Sequence, residues 1–200
     1  MVILQKFRLI FLATPKTGST AIEMALRPHA SAFVTSPPQL KHASLRRFTR
    51  RIAPLFGPEL RGFETVALVR EPQSWVGSWY RFRTRPQARD RDTSTFGLSF
   101  TEFVEAYLAP ERPPYAQIGT QAGMLTDGSN RVDHLFRHED IERFWEFLEA
   151  RHGAPLNRPA MRNVSPAGDE TLPEELRIRL HTALQDDYAL WHSASHGAMV

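Results

Sequence analysis

The chain has 200 residues, 42% apolar and 24% charged, enough to bury about 70% of its unfolded surface, which excludes a disordered segment and a small cross-linked scaffold. It contains no cysteine, so a disulfide framework, a thiolate zinc site and a cysteine nucleophile are excluded, and a reducing compartment is favoured. Of its 25 basic residues 22 are arginine and three are lysine, against 22 acidic residues and a net charge of +3. The isoelectric point near 9.6 therefore reflects arginines that do not titrate, and a local anion site is expected rather than a nucleic-acid-binding coat.

In chain order, Arg8 to Ala13 (RLIFLA) is apolar after its first residue and reads as a buried parallel strand. A helix follows in STAIEMALR, with Ile22, Ala25 and Leu26 at helical spacing and Pro28 as the stop. A short apolar piece spans Ala32 to Val34, and Ser44 to Ile52 reads as a basic helix. Thr65 to Arg70 is the second clear strand, and Pro72 suits the first turn of a helix reaching about Phe82. The polar stretch Arg83 to Gly97 reads as a long surface loop.

Ser99 and Glu102 form a capping box for a helix carrying Phe100, Phe103, Val104 and Tyr107 that ends at Pro110. Val132 to Arg137 is a third strand, followed by a helix with Ile141, Phe144, Trp145 and Leu148 on one face until Gly153. The last helix opens on a capping box of Thr171 and Glu174 with Pro173 in its first turn, and buries Leu176, Leu180, Leu184, Tyr188 and Trp191. Strands alternating with helices predict one α/β domain over residues 1–200, with a mainly parallel sheet flanked by helices in a P-loop-like nucleotide-binding fold. No apolar run approaches the roughly 18 residues of a membrane span. A secretory leader cut after Ala13 would leave the following loop as the new terminus, so a cytoplasmic address is expected.

In a parallel sheet, ligands gather at the carboxyl ends of the strands. The first strand ends in Thr14, Pro15, Lys16, Thr17, Gly18, Ser19, Thr20, where a helix begins. Its free amides make an anion cradle, Gly18 permits close approach of the backbone, and the Ser19 and Thr20 hydroxyls add donors. Lys16 supplies a mobile charge, but it precedes the glycine, so this is not a Walker A loop. A plain strand-to-helix turn with a hydroxyl cap is the bland alternative. A second constellation, VREPQSWVGSWY, ends a strand on Arg70 and carries Ser78 two helical turns on. A strand-end arginine can grip a phosphate with two parallel hydrogen bonds, or instead pair with Glu71 or another carboxylate.

The loop PKTGST together with VREP, Ser78 and Tyr80 resembles the sulfotransferase family that uses 3'-phosphoadenosine 5'-phosphosulfate. The similarity extends over nearly the whole chain, through VDHLFRHEDIERFWEFL, MRNVS and DDYALW, and looks nearest to carbohydrate-type and related bacterial members. Trp75 stands where many relatives carry a basic residue. The resemblance implies that Lys16, Thr17, Gly18, Ser19 and Thr20 hold the 5'-phosphosulfate, and that Arg70 and Ser78 hold the 3'-phosphate. It implies a donor co-substrate, no required metal, and a hydroxyl-bearing acceptor such as a carbohydrate or small metabolite.

Sulfuryl transfer needs in-line positioning, charge stabilisation on the bridging oxygen and a base. Lys16 is the electrostatic catalyst, and His42 is the expected base, because relatives place a histidine or glutamate in that interval. A surface histidine beside Lys41 is the alternative. Glu23 is a weaker candidate, and His134 and His138, flanking a strand, read as structural. Arg46, Arg47, Arg50 and Arg51, with Arg81, Arg83, Arg85, Arg89 and Arg91, either frame an anionic acceptor or form a solvated face. No nucleic-acid partner is expected, and the oligomeric state is open. A P-loop nucleotide kinase or phosphotransferase and a non-catalytic nucleotide-binding protein are the alternative functions.

Overall fold

Every residue of Glu64–Val69 (β4) after the first is buried, and its side chains alternate between two separate cores, Val66 and Leu68 in one, Ala67 and Val69 in the other. A strand covered on both faces has no polar side to show, which is why its sequence is continuously apolar. In the computed structural model, which describes residues 1–159 and 170–194, β4 lies between Leu9–Phe11 (β2) and His134–Arg137 (β7), parallel to both. Val2–Leu4 (β1) is antiparallel to β2 and to Ala32–Phe33 (β3), giving the order β3-β1-β2-β4-β7.

The sheet is therefore mixed and not mainly parallel. Two of the strand pairings are parallel and two antiparallel. The missed feature is the β1–β2 hairpin, whose turn through Gln5–Phe7 closes on Arg8 in the left-handed region at φ 54°. Glycine or asparagine usually marks such a position, so the turn carries no ordinary signal. The motif MRNVS lies outside the described residues.

One face of the sheet is covered by Ser19–Leu26 (α1), through Ile22 and Leu26, and by the later helix Ile141–His152, through Phe144, Trp145 and Leu148. The other face is covered by Leu45, Phe48 and Ile52, Leu125, Leu190 and Ala194. Between these lie short helices at Pro38–Lys41 (α2) and Leu45–Arg47 (α3), the latter capped by the Ser44 hydroxyl and continuing as a wider helical turn to Ile52.

Pro72–Arg83 (α4) is capped by Glu71, whose carboxylate accepts from the Gln73 and Ser74 amides. Phe100–Leu108 (α5) carries the complete Ser99–Glu102 capping box. These two helices pack Trp75, Val76, Phe103, Val104 and Tyr107 against Leu176, Leu180 and Leu184 as a third apolar cluster. Gln121–Leu125 (α6) and a small hairpin of Thr126–Asp127 (β5) and Asn130–Arg131 (β6) lead into β7. The helix after β7, Ile141–His152 (α7), stops at Gly153 in the left-handed region.

The C-terminal segment departs from expectation. It is two helices, Glu174–Ala183 (α8) and Gln185–Ser193 (α9), with Leu184 between them. Pro173 is the N-cap of α8, so the Thr171–Glu174 capping box does not form, because the first helical residue is Glu174 itself. No helix among the described residues is long and apolar enough to cross a membrane.

Candidate anion-binding site

The three parallel strands end along one edge of the sheet, and each end contributes. After β2 comes the loop from Thr14 to Gly18, after β4 comes Arg70, and after β7 comes His138. In the loop, Lys16 has φ 66° and Gly18 φ 72°, with Thr17 between them outside the left-handed region. Alternating hands of this kind aim successive N–H groups into one concavity. A left-handed conformation costs a lysine energy that a glycine would not incur, and such residues persist where surrounding structure over-determines them.

Here the surroundings are explicit. The Thr17 hydroxyl donates to the Thr14 carbonyl at 2.9 Å, the Trp75 indole donates to the Pro15 carbonyl at 2.9 Å, and Arg70 Nη1 donates to the Lys16 carbonyl at 3.3 Å. Thr17 and Ser19 are buried, whereas Gly18, the N-cap of α1, and Thr20 are exposed. A Cβ at Gly18 would lie 3.7 Å from His138 Cε1, so the imidazole sits directly against the loop.

The Lys16 side chain turns toward the end of α4, with Nζ 4.0 Å from the centre of the Phe82 ring and 5.5 Å from that of Trp79. Burial lowers its pKa to about 7, and the other charges acting on it, Arg85, Arg70, Arg81 and Arg83, push the same way. Five basic residues, four arginines acting on one lysine, make this part of the surface strongly positive in potential. Arg81 pairs with Glu170. Arg83 is buried and donates to the Pro114 and Tyr115 carbonyls, so it pins a connection and does not frame an acceptor.

Arg70 is half-buried, and burial lowers its pKa. Its Nε and Nη2 donate to Ser74 Oγ at 3.0 and 2.8 Å. The hydroxyl it holds is thus that of Ser74, and Ser78, buried one turn further along α4, is not its hydrogen-bond partner. Glu71 caps α4 and forms no ion pair with Arg70, but the charges of Glu139 and Glu71 both act on the guanidinium and oppose the lowering by burial.

His42 follows α2. Its Nδ1 lies 2.6 Å from the Ala13 carbonyl, which can only accept, so Nδ1 carries the proton and Nε2 holds the lone pair. Burial lowers its pKa, which keeps the ring neutral near pH 7. Next to it, Lys41 Nζ donates to Thr20 Oγ1 at 3.0 Å and lies 3.2 Å from Glu23 Oε2. Glu23 is buried and also pairs with the Met1 amine, so its carboxylate is committed to cations. The two expected catalytic side chains are held by different neighbours, the Lys16 ammonium by the rings of α4 and the His42 imidazole by Ala13.

His138 was not expected here. Its pKa is lowered first by burial and then by the Arg70 charge, and its Nδ1 is buried without a hydrogen-bond partner among the described residues. The available signal was its position immediately after a strand predicted to lie in the parallel part of the sheet. Among the described residues no group of three or more metal-ligating side chains occurs.

The segment from Arg83 to Gly97 closes on itself through the Thr95 amide to the Arg83 carbonyl and the paired Thr84 and Thr95 hydroxyls. It leaves Phe82 and Phe96 exposed, with Arg85 over the first ring and Arg89 over the second. Comparison with protein-family models, curated proteins and solved structures finds no match to this chain.

Proposed function

We propose that this protein is a sulfotransferase that moves a sulfuryl group from 3'-phosphoadenosine 5'-phosphosulfate to an acceptor hydroxyl. The observation that carries this reading is the junction of Lys16 and Arg70. Two cationic residues, each at the carboxyl end of a parallel strand, are joined by the hydrogen bond from Arg70 Nη1 to the Lys16 carbonyl. A ligand with two separate phosphate groups matches two linked anion sites better than a monophosphate does. In this reading β2, its loop and α1 form a P-loop-like unit, with Lys16 to Thr20 around the 5'-phosphosulfate and Arg70, with Ser78 nearby on α4, at the 3'-phosphate.

The chemistry follows from the residues. The acceptor oxygen attacks sulfur as the bond from sulfur to the bridging oxygen breaks, and the bisphosphate leaves with the electron pair. In this reading the Lys16 ammonium offsets charge developing on that bridge. His42 Nε2, its lone pair defined by the Nδ1 contact with Ala13, takes the acceptor proton. No metal is required. The acceptor reading, an anionic carbohydrate or small metabolite, draws on the exposed Phe82 beside Lys16 with Arg85 over its ring, and on Arg89 over the exposed Phe96.

Calorimetry with adenosine 3',5'-bisphosphate and adenosine 5'-monophosphate tests the donor half. A clear preference for the bisphosphate, lost in Arg70→Ala, is expected, and equal affinities would refute it. Incubation with sulfur-labelled donor and a panel of hydroxyl-bearing acceptors tests the catalytic half and separates an enzyme from a binding protein.

A further inference from the structure

The backbone of Arg70 is held from outside the sheet. Beyond the last residue of β4, its N–H donates to Gln121 Oε1 at 2.8 Å and its carbonyl accepts from Gln121 Nε2 at 2.7 Å. A side-chain amide thus supplies the two hydrogen bonds that a neighbouring strand would supply. Gln121 is fully buried and opens α6, and its own amide and that of Ala122 donate to the two carboxylate oxygens of Asp187 at 3.0 and 2.8 Å. The next residue of α9, Tyr188, donates its hydroxyl to Glu71 Oε1 at 2.9 Å. Glu71 in turn holds the Ser74 amide at 2.6 Å, and Ser74 carries the hydroxyl gripped by the Arg70 head group.

Two consecutive residues of α9 therefore reach both ends of the same arginine, Asp187 toward its backbone through Gln121 and Tyr188 toward its guanidinium through Glu71 and Ser74. Each link is buried or half-buried and involves groups that would be costly to leave unpaired. We infer that Gln121 is a positioning residue for Arg70, and that Asp187 and Tyr188 set the aim of that arginine at the 3'-phosphate without touching the ligand. This rests on the proposed donor site. It adds that selectivity for the 3'-phosphate is set from the C-terminal helix, in the part of the chain farthest in sequence from the loop.

The experiment measures the ratio of dissociation constants for adenosine 5'-monophosphate and adenosine 3',5'-bisphosphate in the full chain. In Gln121→Met, which keeps the shape and removes both hydrogen bonds, the ratio is expected to fall roughly tenfold, while monophosphate affinity stays within about twofold, because Arg70 holds the loop only at the Lys16 carbonyl and the Thr17 and Trp75 contacts remain. Asp187→Asn and Tyr188→Phe, which remove single contacts, should lower the ratio less and in the same direction, and they carry the test if Gln121→Met does not fold. If Arg70→Ala abolishes the preference but all three variants keep the wild-type ratio, the positioning role is overturned and the donor site stands. If both affinities fall in parallel, Gln121 supports the site as a whole and the inference fails. If the wild type shows no preference, the assignment of Arg70 to the 3'-phosphate fails, and the positioning role with it.

Discussion

The two ends of the parallel strands hold the same residue types in different surroundings. At the amino end, Glu64 of β4 accepts from Arg151 and lies 3.1 Å from His134 of β7, while Asp133 accepts from both the amide and the hydroxyl of Thr65 at 2.7 Å. Each of these four charged or ionisable groups has a partner on an adjacent element. At the carboxyl end, a lysine, an arginine and a histidine converge, and the charges weighing on Lys16 are all arginines. Glu139 and Glu71 act on Arg70 from nearby, yet neither forms an ion pair with it, and Glu71 caps α4. An arginine and a histidine thus say little by themselves. A carboxylate in ion-pair contact makes a clasp at one end, and its absence leaves the proposed site at the other.

The comparison is broken most directly at Lys16. In Lys16→Met, turnover with labelled donor should fall about a hundred- to a thousandfold, while thermal unfolding is expected at the same or a higher temperature, because an uncompensated charge has gone. A marked loss of stability would mean that Lys16 is a structural clasp like Arg151. His42→Gln comes next, with an expected loss of about a hundredfold in turnover and little change in bisphosphate affinity. Unchanged turnover would leave the base elsewhere, with His138 the next residue to test.

The pH dependence sharpens the contrast. Because Lys16 titrates near pH 7 in the free protein and a bound phosphate favours its charged form, binding takes up a proton above that pH. Bisphosphate affinity should therefore fall by up to about tenfold per pH unit above neutrality. Calorimetry in buffers of different ionisation heat would detect the uptake, and Lys16→Arg should abolish it. For stability the sign is separate. Lys16 in the unfolded chain titrates near its ordinary value of about 10.4. The penalty for its folded charge is thus absent above that pH, grows as pH falls, and is complete below about 7.

The amino end behaves in the opposite sense and more weakly. Glu64 has its pKa lowered by hydrogen bonds from Arg151 and His134, so its contribution is present above the ordinary carboxylate range and is lost as pH falls through the lowered value. Being partly exposed, the clasp is worth less than about 1 kcal/mol. Glu64→Gln should lower stability by that small amount in chemical denaturation and leave bisphosphate affinity unchanged. An effect on affinity would erase the distinction between the two ends.

Much of the carboxyl end is legible in the chain itself. Lys16, Thr17 and Gly18 follow an apolar run and precede a helical period, and Arg70 ends a second apolar run before a proline, so local pattern is enough to place them. The apolar faces of α5 and α7 are legible for the same reason. The hairpin of β1 was hidden because its turn puts Arg8, and no glycine, at the left-handed position. Ser78 and Ser74 stand one helical turn apart on α4, so spacing alone does not choose between them, and the reach of the Arg70 side chain does.

By itself, then, the sequence determined that a lysine-bearing loop and a strand-end arginine exist, because hydrophobic periodicity and turn chemistry act over a few residues and are written locally. Only the tertiary structure decided which groups surround them. It turned Glu71 into a cap, brought His138 against Gly18, and ran Asp187 and Tyr188 back to Arg70 from more than a hundred residues away. Contacts of that kind depend on how helices and strands stack, and that stacking is set by the burial of both faces of the sheet at once.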